Sequence, residues 1–383
     1  MDKIAIIGAS YLQYPIIKKA KEMGFETHVF AWRDGATGFE YIDKFYPISI
    51  REIDKIYKFC KKIKPKAVVS IASDLANITV NEVARRLGLA CNSEESVRVS
   101  TNKYEMRKAL KIGGVSCPNF IVTDTATNIR QRLSHFSFPI IVKPTDRSGS
   151  RSITKLESFN GIEDAVDASI NNSFEGKAII EEYIQGDEYS FESITFNGEH
   201  FPLAITKKFT TGAPHFIETG HVEPAGFDEE QIKKITNQIK KALTVLKIHT
   251  GASHTEFKVD KEYNVKIIEI GARMGGDFIG ADLVKLSTNQ DFVKYVIDTS
   301  LGQRPQFLPF ENNVAGIKYI FDKNDYEYVK NYIEMNHQKL IRFDMQSEDF
   351  SRQVVDSGSR LGYAIFKFDN FEEAKNFMEK KII

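Results

Sequence analysis

The chain has 383 residues, a length that predicts two or three packed units rather than one domain. Apolar residues make up 42% and charged residues 27%, values that are typical of soluble globular proteins and exclude a disordered or fibrous one. Lysine plus arginine and aspartate plus glutamate each total 52, so bulk positive charge does not predict binding to nucleic acid or to a membrane.

The first ninety residues alternate apolar strands with helices. The pattern predicts strands at 3–7, 26–30 and 66–71, and helices at 14–23 and 76–87 that end at Gly24 and Gly88. Such alternation predicts a parallel sheet with helices on both faces. The first turn, Gly8-Ala9-Ser10, lacks the GxGxxG pattern, which favours a structural Rossmann-like half over a dinucleotide site.

The middle of the chain mixes strands and helices differently. Apolar strands are predicted at 138–144 and 178–184, and two more flank the hairpin-turn pair Asn197-Gly198. Asp228 and Gln231 fit a capping box at the start of a helix. After residue 305, short strands at 314–321, 340–343 and 361–368 and a helix at 371–381 indicate a third unit or an appendage.

A phosphate-binding loop is one interpretation of the segment after the strand at 138–144. The strand ends in Lys143, and the loop that follows contains Ser148, Gly149, Ser150 and Arg151. Small residues let backbone N–H groups approach phosphate oxygens, and the basic side chains supply charge. The segment lacks the Walker A pattern, and an ordinary polar turn is the alternative.

Two carboxylates flank a second predicted turn. Strands at 252–259 and 265–271 are joined by a turn at 260–264, and Glu256 and Glu269 lie almost equally far from its centre. A symmetric register makes them cross-strand neighbours, where like charges repel unless a cation lies between them or both face water. Mg²⁺ accepts a few carboxylates together with phosphates, so a metal site is predicted here. Two solvated glutamates are the alternative, which Ile267, Ile268 and Ile270 disfavour.

The residues after Glu269 and a segment near residue 218 carry weaker signals. Arg273 lies in a turn with Gly275 and Gly276 and can clamp a carboxylate or phosphate bidentately; a surface arginine in a flexible loop is the alternative. Glu218 and His221 form a Glu-x-x-His spacing in a predicted loop. The HExxH and GxSxG patterns do not occur, which argues against metalloproteases and serine hydrolases.

Together, these motifs resemble those of the ATP-grasp superfamily, in their order and over most of the chain. The resemblance implies α/β and α+β parts: a Rossmann-like domain at 1–95, an ATP-grasp domain at 96–302 with a mobile lid at about 115–182, and a C-terminal α+β unit at 303–383 packed on the core.

The resemblance also implies roles for individual residues. Lys103 and Lys143 match the two nucleotide-contacting lysines, and Ser148 to Arg151 match the lid loop over the phosphates. Residues 181–188 match the hinge, where the backbone around Glu182, Tyr183 and Ile184 lies at adenine and Glu188 at the ribose. Glu181 is also assigned to the ATP site. Glu256 and Glu269 match the Mg²⁺ ligands, with Mn²⁺ as an alternative, and Arg273 matches the reaction-centre arginine.

Two positions depart from the superfamily pattern. Gly271 holds the place of a metal-binding asparagine, which removes one metal contact or leaves it to water. Arg151-Ser152 stands where the lid loop usually has glycine, which is expected to stiffen that loop.

Within the superfamily, the chain is similar to L-amino-acid ligases of the bacilysin-synthetase kind. They share the Glu218-x-x-His221 element, the interval between the metal glutamates and the arginine that follows. This implies formation of an acyl phosphate from ATP and a carboxylate, followed by attack of an amine, with Arg273, Lys143 and Glu269 as catalytic residues and Glu218, His221, Gly275 and Gly276 at the substrate. Two alternatives remain open: a biotin-carboxylase-like or purine-biosynthesis enzyme that activates bicarbonate, formate or another small carboxylate, and an ATP-binding module without turnover.

The location and partners follow from what the sequence lacks. No signal-peptide pattern is present, and Cys60, Cys91 and Cys117 are far apart, so a cytoplasmic protein without disulfides or sulfur-bound metal is expected. The resemblance implies small-molecule carboxylate and amine substrates as partners, and the charge balance predicts neither nucleic acid nor membrane. A homodimer is suggested only by the resemblance, because dimers are common in the superfamily.

Overall fold

The computed structural model describes residues 1–149, 152–213 and 216–380, and within them the strands form three sheets. The first sheet is parallel, which confirms the prediction from strand–helix alternation. Its order is β3-β2-β1-β4. The elements are β1 (Lys3–Ile7), α1 (Tyr14–Glu22), β2 (Glu26–Ala31), β3 (Lys44–Pro47), α2 (Ile53–Ile63), β4 (Ala67–Val69) and α3 (Asp74–Leu87).

Helices cover both faces of this sheet. Ile4 and Ile6 on one face of β1 belong to the apolar cluster that includes α1, and Ala5 and Ile7 on the other face belong to the cluster of α2 and α3. This split follows from the alternation of side chains along a strand. The chain reverses its winding between β1 and β4, and a crevice therefore opens at the carboxyl ends of these two strands.

A small antiparallel sheet follows two connecting helices, α4 (Glu94–Thr101) and α5 (Lys103–Ile112). Its order is β5-β8-β6-β7, and its own apolar cluster includes Ile129, Ile162 and Val166. The elements are β5 (Phe120–Thr123), α6 (Ile129–Arg132), β6 (Ile140–Pro144), β7 (Thr154–Leu156), α7 (Ile162–Asn172) and β8 (Ala178–Glu182). Strands β5 and β7 were not expected from the sequence. The domain and lid boundaries stated above stay predictions.

The central sheet carries most of the site. Its order is β13-β12-β9-β10-β11-β14-β16-β15. The first part consists of β9 (Glu188–Phe196), β10 (Glu199–Thr210), β11 (Glu218–Glu223), α8 (Glu229–Val245), β12 (Gly251–Val259), β13 (Val265–Gly271), α9 (Val284–Thr288) and α10 (Phe292–Ser300). Asn197 and Gly198 both have positive φ in the β9–β10 turn, and Asp228 and Gln231 form the capping box of α8, as predicted.

The C-terminal strands extend this central sheet and do not form one of their own. They are β14 (Val314–Ile320), β15 (Leu340–Met345) and β16 (Gly362–Phe368), with α11 (Lys323–Met335) and α12 (Phe371–Met378). Strand β14 pairs with β11, so the interpretation of residues 218–221 as a loop is wrong. The pairing needs Gly220, because a Cβ there would lie 2.7 Å from the Ile317 carbonyl oxygen. None of the helices in the described residues has the length and apolarity needed to cross a membrane.

Candidate active site

A cavity of about 790 Å³ lies where the three sheets meet. Turns at the carboxyl ends of β1, β2, β3 and β4, the small sheet, and the β12–β13 hairpin all contribute to its wall. The cavity brings together most residues that the sequence singled out: Lys103, Lys143, Ser148, Gly149, Glu181, Glu182, Tyr183, Ile184, Glu188, Glu218, His221, Glu256, Glu269, Arg273 and Gly276.

Three of the expected residues are not placed in this cavity. Ser150 and Arg151 lie outside the described residues. Gly275 does not line this cavity, and its N–H donates to a Glu192 carboxylate oxygen at 3.1 Å. A Cβ on Gly275 would lie 2.8 Å from a Glu192 carboxylate oxygen, so close packing accounts for this glycine.

Glu256 and Glu269 are cross-strand partners, as the hairpin argument predicts. The register is symmetric as far as Phe257 and Ile267 and then shifts, which leaves Ile268 as an additional residue in β13. This bulge brings Glu269 opposite Glu256, and bulges next to functional sites commonly redirect side chains in this way. The sequence could not predict the bulge, although it predicted the pairing.

A buried ion cluster holds Lys143. The Lys143 Nζ lies 2.7 Å from Glu181 Oε2, and Arg107 binds the same carboxylate and donates to the Ile268 carbonyl at 2.5 Å. Burial raises the pKa of Glu181, but the Arg107 and Lys143 charges outweigh it and lower that pKa to about 2. Burial also lowers the pKa of Lys143 from its usual value, against the attraction of Glu181. The cluster therefore fixes the position of a lysine in the cavity wall.

Lys208 on β10 is a site residue that the sequence reasoning missed. Its buried Nζ lies 2.6 Å from Glu256, 2.9 Å from Glu188 and 3.6 Å from Glu218. Burial alone would lower its pKa, but the three carboxylates raise it well above the usual value. Only the pairing of β10 with β9 and β11 reveals this role, because Lys207-Lys208 reads in sequence as a charged strand end.

Each glutamate of the pair is therefore balanced by basic groups. Lys103 Nζ lies 2.9 Å from Glu269, and His254 Nε2 lies 3.4 Å from Glu256. His254 is also bound to the buried Glu192, and although burial lowers its pKa, this carboxylate raises it to about 9. These contacts neutralise the two acidic side chains within the protein.

The pair nevertheless fits a divalent cation. The side chains of Glu256 and Glu269 are 25% and 23% exposed and line one cavity. Within the described residues, no group of three or more His, Cys, Asp or Glu side chains could hold a metal by itself. That arrangement suits Mg²⁺, which takes one or two carboxylates and obtains its other ligands from phosphates and water.

Arg273 is oriented by the N-terminal sheet. Its guanidinium forms a fork on Asp74, at the start of α3, with Nε–Oδ1 and Nη2–Oδ2 distances of 2.9 and 3.2 Å. A Cβ on Gly271 would lie 3.0 Å from both Arg273 Nε and Asp74 Oδ1. The arginine–aspartate pair thus occupies the space that an asparagine side chain would need at position 271.

The C-terminal unit supports the other end of the cavity. Ser357 donates to Glu218 at 2.7 Å, and Arg360 donates to Asp277 at 2.8 Å. His221 is fully buried, its Nε2 lies 3.9 Å from Asp277 Oδ2, and within the described residues its ring nitrogens lack hydrogen-bond partners. Burial lowers the pKa of His221, which favours the neutral ring. Ser357, Asp277 and Arg360 were not predicted, and Ser357 and Arg360 meet this end only through the β11–β14–β16 pairing.

The hinge offers fewer free backbone donors than expected. The Glu182 N–H donates to the Asn119 carbonyl at 3.1 Å, and the Tyr183 N–H donates to the Pro139 carbonyl at 2.9 Å. These two donors are used within the protein, although their residues and Ile184 line the cavity.

Comparisons with known proteins show what part of the chain resembles a known domain. Residues 136–282 match the family model of the ATP-grasp domain. Alanine–anticapsin ligase of Bacillus subtilis (strain 168) is 32% identical over 248 residues, which cover 58% of this chain and 52% of that protein. The chain thus spans about half the length of the curated relatives it matches.

Solved structures match over almost the whole chain. The L-amino acid ligase from Bacillus licheniformis superposes with a TM-score of 0.82 at 22% identity, covering 99% of this chain and 96% of that one. N5-Carboxyaminoimidazole synthetase from Staphylococcus aureus, complexed with ADP, gives a TM-score of 0.78 at 14% identity, with 99% and 96% covered. Residues 136–282 thus match the ATP-grasp domain, and the chain as a whole shares the fold of these two enzymes.

Proposed function

We propose that the chain is an ATP-dependent carboxylate–amine ligase that forms an amide or peptide bond on an L-amino acid and releases ADP and phosphate. One observation carries the proposal: a single cavity joins a half suited to a nucleotide with a half suited to a zwitterion. Lys143 and the Glu256–Glu269 pair mark the first half, and Arg273 and Glu218 mark the second. The similarity to alanine–anticapsin ligase supports the same reaction class.

The nucleotide half has a group for each part of ATP. Lys103, Lys143 and the loop from Ser148 are assigned to the phosphates, because cations and small residues with free backbone N–H groups suit phosphate oxygens. Ile184 is assigned to adenine. Glu188 is assigned to the ribose hydroxyls, for which a carboxylate is a strong acceptor.

Glu256 and Glu269 would hold Mg²⁺, or Mn²⁺, between the protein and the phosphates. When bound, such an ion would neutralise negative charge on the transferred phosphoryl group. Lys103 and Lys208, which balance these glutamates in the structure, are then placed to contact phosphate oxygens instead.

The zwitterion half orients the reacting carboxylate. Arg273 would hold the carboxylate and Glu218 the ammonium group of the same amino acid. A carboxylate oxygen attacks the γ-phosphorus, the bond to the bridging oxygen breaks, and ADP leaves. The amine of the second substrate then attacks the acyl carbon of the acyl phosphate, phosphate leaves, and the attacking nitrogen loses a proton. The Arg273 guanidinium, which Asp74 holds through Nε and Nη2, would bind the reacting group more tightly as negative charge develops on it. It would therefore stabilise the transition state more than the ground state.

A phosphate-release screen tests the proposal. The protein is incubated with ATP, Mg²⁺ and amino acids singly and in pairs, and separately with bicarbonate, formate and simple amines. Release that requires paired amino acids is the expected result. Dependence on bicarbonate or formate would favour the small-carboxylate enzymes, and ATP binding without release under any condition would favour a module without turnover.

Two variants test the assignment within the site. Arg273→Lys should lower kcat with little change in ATP affinity, because lysine cannot reproduce the planar fork. Glu218→Gln should raise the KM of the amino acid, because a neutral amide binds ammonium less well. Arg304→Lys is the control for the first variant, since Arg304 forms an exposed ion pair with Glu199 outside the cavity. Loss of ATP affinity alone in both variants would refute the assignment.

A further inference from the structure

The cavity continues along the carboxyl edge of the N-terminal sheet, beyond the residues assigned to ATP and to the first amino acid. Trp32 follows β2 and Arg51 follows β3, and both line the cavity. Trp32 is 69% exposed, although it is large and apolar, and it is the one tryptophan of the sequence. An exposed aromatic ring in a cavity wall is suited to an apolar group of a ligand.

Two arginines near this edge carry charge that no carboxylate balances among the residues that the structure describes. Arg51 and Arg147 lie over the ring of Phe174, with guanidinium-to-centroid distances of 4.4 and 4.3 Å. Among the described residues neither forms an ion pair with a carboxylate, whereas most charged groups of the cavity do. Arg147 Nε is buried and, within the same part of the chain, lacks a hydrogen-bond partner. Both side chains line the cavity, so this corner attracts an anionic group.

The spacing of the strands limits what can reach Trp32. The Asp74–Arg273 pair lies at the end of β4, and Trp32 lies at the end of β2, two strands away. Neighbouring strands are about 4.8 Å apart, so the two points are separated by roughly 10 Å. An amine that reacts beside Arg273 needs a long or aromatic body to touch Trp32, and glycine or alanine is too short.

We infer that this edge is the subsite of the second substrate, and that it selects amines bearing both an apolar body and a free carboxylate. The apolar body packs on Trp32, and the carboxylate binds at Arg51 and Arg147. A large apolar amino acid or a short peptide with such a side chain meets this description. The inference rests on the proposed ligase function, because it assumes that an amine is the acceptor.

Fluorescence of Trp32 tests binding without turnover. The full chain with Mg²⁺ and ADP is titrated with L-phenylalanine, phenethylamine and glycine, with excitation where phenylalanine does not absorb. L-Phenylalanine should change the emission saturably, and the two partial analogues should need at least tenfold higher concentrations. An unchanged emission, or equal half-saturation by phenethylamine, would overturn the inference.

Matched variants test whether Arg51 binds the carboxylate of the second substrate. Arg51→Gln keeps the tryptophan probe and should raise the half-saturation for L-phenylalanine at least tenfold. Arg33→Gln is the control, because Arg33 adjoins Trp32 in sequence but does not line the cavity. Equal half-saturation in the two variants would refute the role of Arg51.

Steady-state kinetics separate this inference from the proposed function. Trp32→Ala should raise the KM of the amine substrate at least tenfold and leave the KM of ATP unchanged, while Trp32→Phe should retain most of the affinity. Turnover with paired amino acids that is insensitive to Trp32→Ala and Arg51→Gln would overturn the subsite and leave the ligase intact. Absence of phosphate release with every pair would overturn the ligase, and the subsite with it.

Discussion

A buried carboxyl group on β11 should make the stability of the protein depend on pH in an unusual direction. Glu223 is fully buried and accepts hydrogen bonds from Ser287 and Thr206, each at 2.7 Å. Burial raises its pKa from 4.5 to about 8, and the two hydroxyl groups offset only part of this effect. Between these values the folded protein retains a proton that the unfolded chain releases. Wild-type stability contributed by this group is therefore complete below pH 4.5 and is lost as the pH rises through about 8.

Glu223→Gln should remove this dependence, because glutamine has the same size and does not titrate. The free energy of unfolding of the variant relative to wild type should grow by about 1.4 kcal/mol per pH unit, or roughly 3 kcal/mol between about pH 5.5 and about pH 7.5. Urea unfolding at several pH values measures the difference, in which the other titrating groups cancel. Glu327→Gln, on an exposed part of α11, is the control. A stability difference that stays constant across this range would refute the reasoning.

Three further predictions concern the cavity. Lys143→Ala should weaken ATP binding about 10- to 100-fold, corresponding to a lost charge-assisted contact of about 1.5–3 kcal/mol, and calorimetry with unchanged affinity would contradict it. Gly271→Ala should lower kcat without weakening ATP binding, because the new methyl group lies 3.0 Å from Arg273 Nε and displaces that fork; kcat equal to wild type would contradict it. Lys208→Met should destabilise the ligand-free protein by about 3–5 kcal/mol in urea unfolding, since Glu188, Glu218 and Glu256 lose the lysine that they share; added Mg²⁺ should restore part of this loss, and an unchanged midpoint would contradict the prediction.

Features that depend on neighbouring residues could be predicted from the sequence. The Asn197-Gly198 turn and the capping box at Asp228 each follow from the chemistry of two or four consecutive residues. The pairing of Glu256 with Glu269 follows from the turn between them, since a hairpin register extends outward from its turn. The bulge at Ile268 did not prevent this prediction. A fully symmetric register would place Glu256 opposite Ile268, and the bulge shifts the register by one residue, so that Glu256 lies opposite Glu269.

Features that depend on distant strands could not be predicted. Lys208 gains its role from carboxylates on β9, β11 and β12, and the hydrophobic pattern of the sequence does not indicate that these carboxylates meet it. Gly220 reads as a loop residue in sequence, although it is the point where β14 approaches β11. Arg360 reaches Asp277 only because the C-terminal strands continue the central sheet. A single sequence contains no local signal for such pairings, which tertiary packing decides.

The position of β11 between β10 and β14 also affects the order in which the protein can mature. Strands β6, β12 and β13, which carry Lys143 and the Glu256–Glu269 pair, leave the ribosome before β14 does. Until β14 is made, β11 is an open edge that carries Glu218 and His221 and can pair with another chain. Closing such a long loop is slow compared with local folding. A nascent chain can therefore complete the proposed nucleotide half of the cavity before the proposed zwitterion half. A chain shortened before residue 314 would expose this edge permanently and favour aggregation.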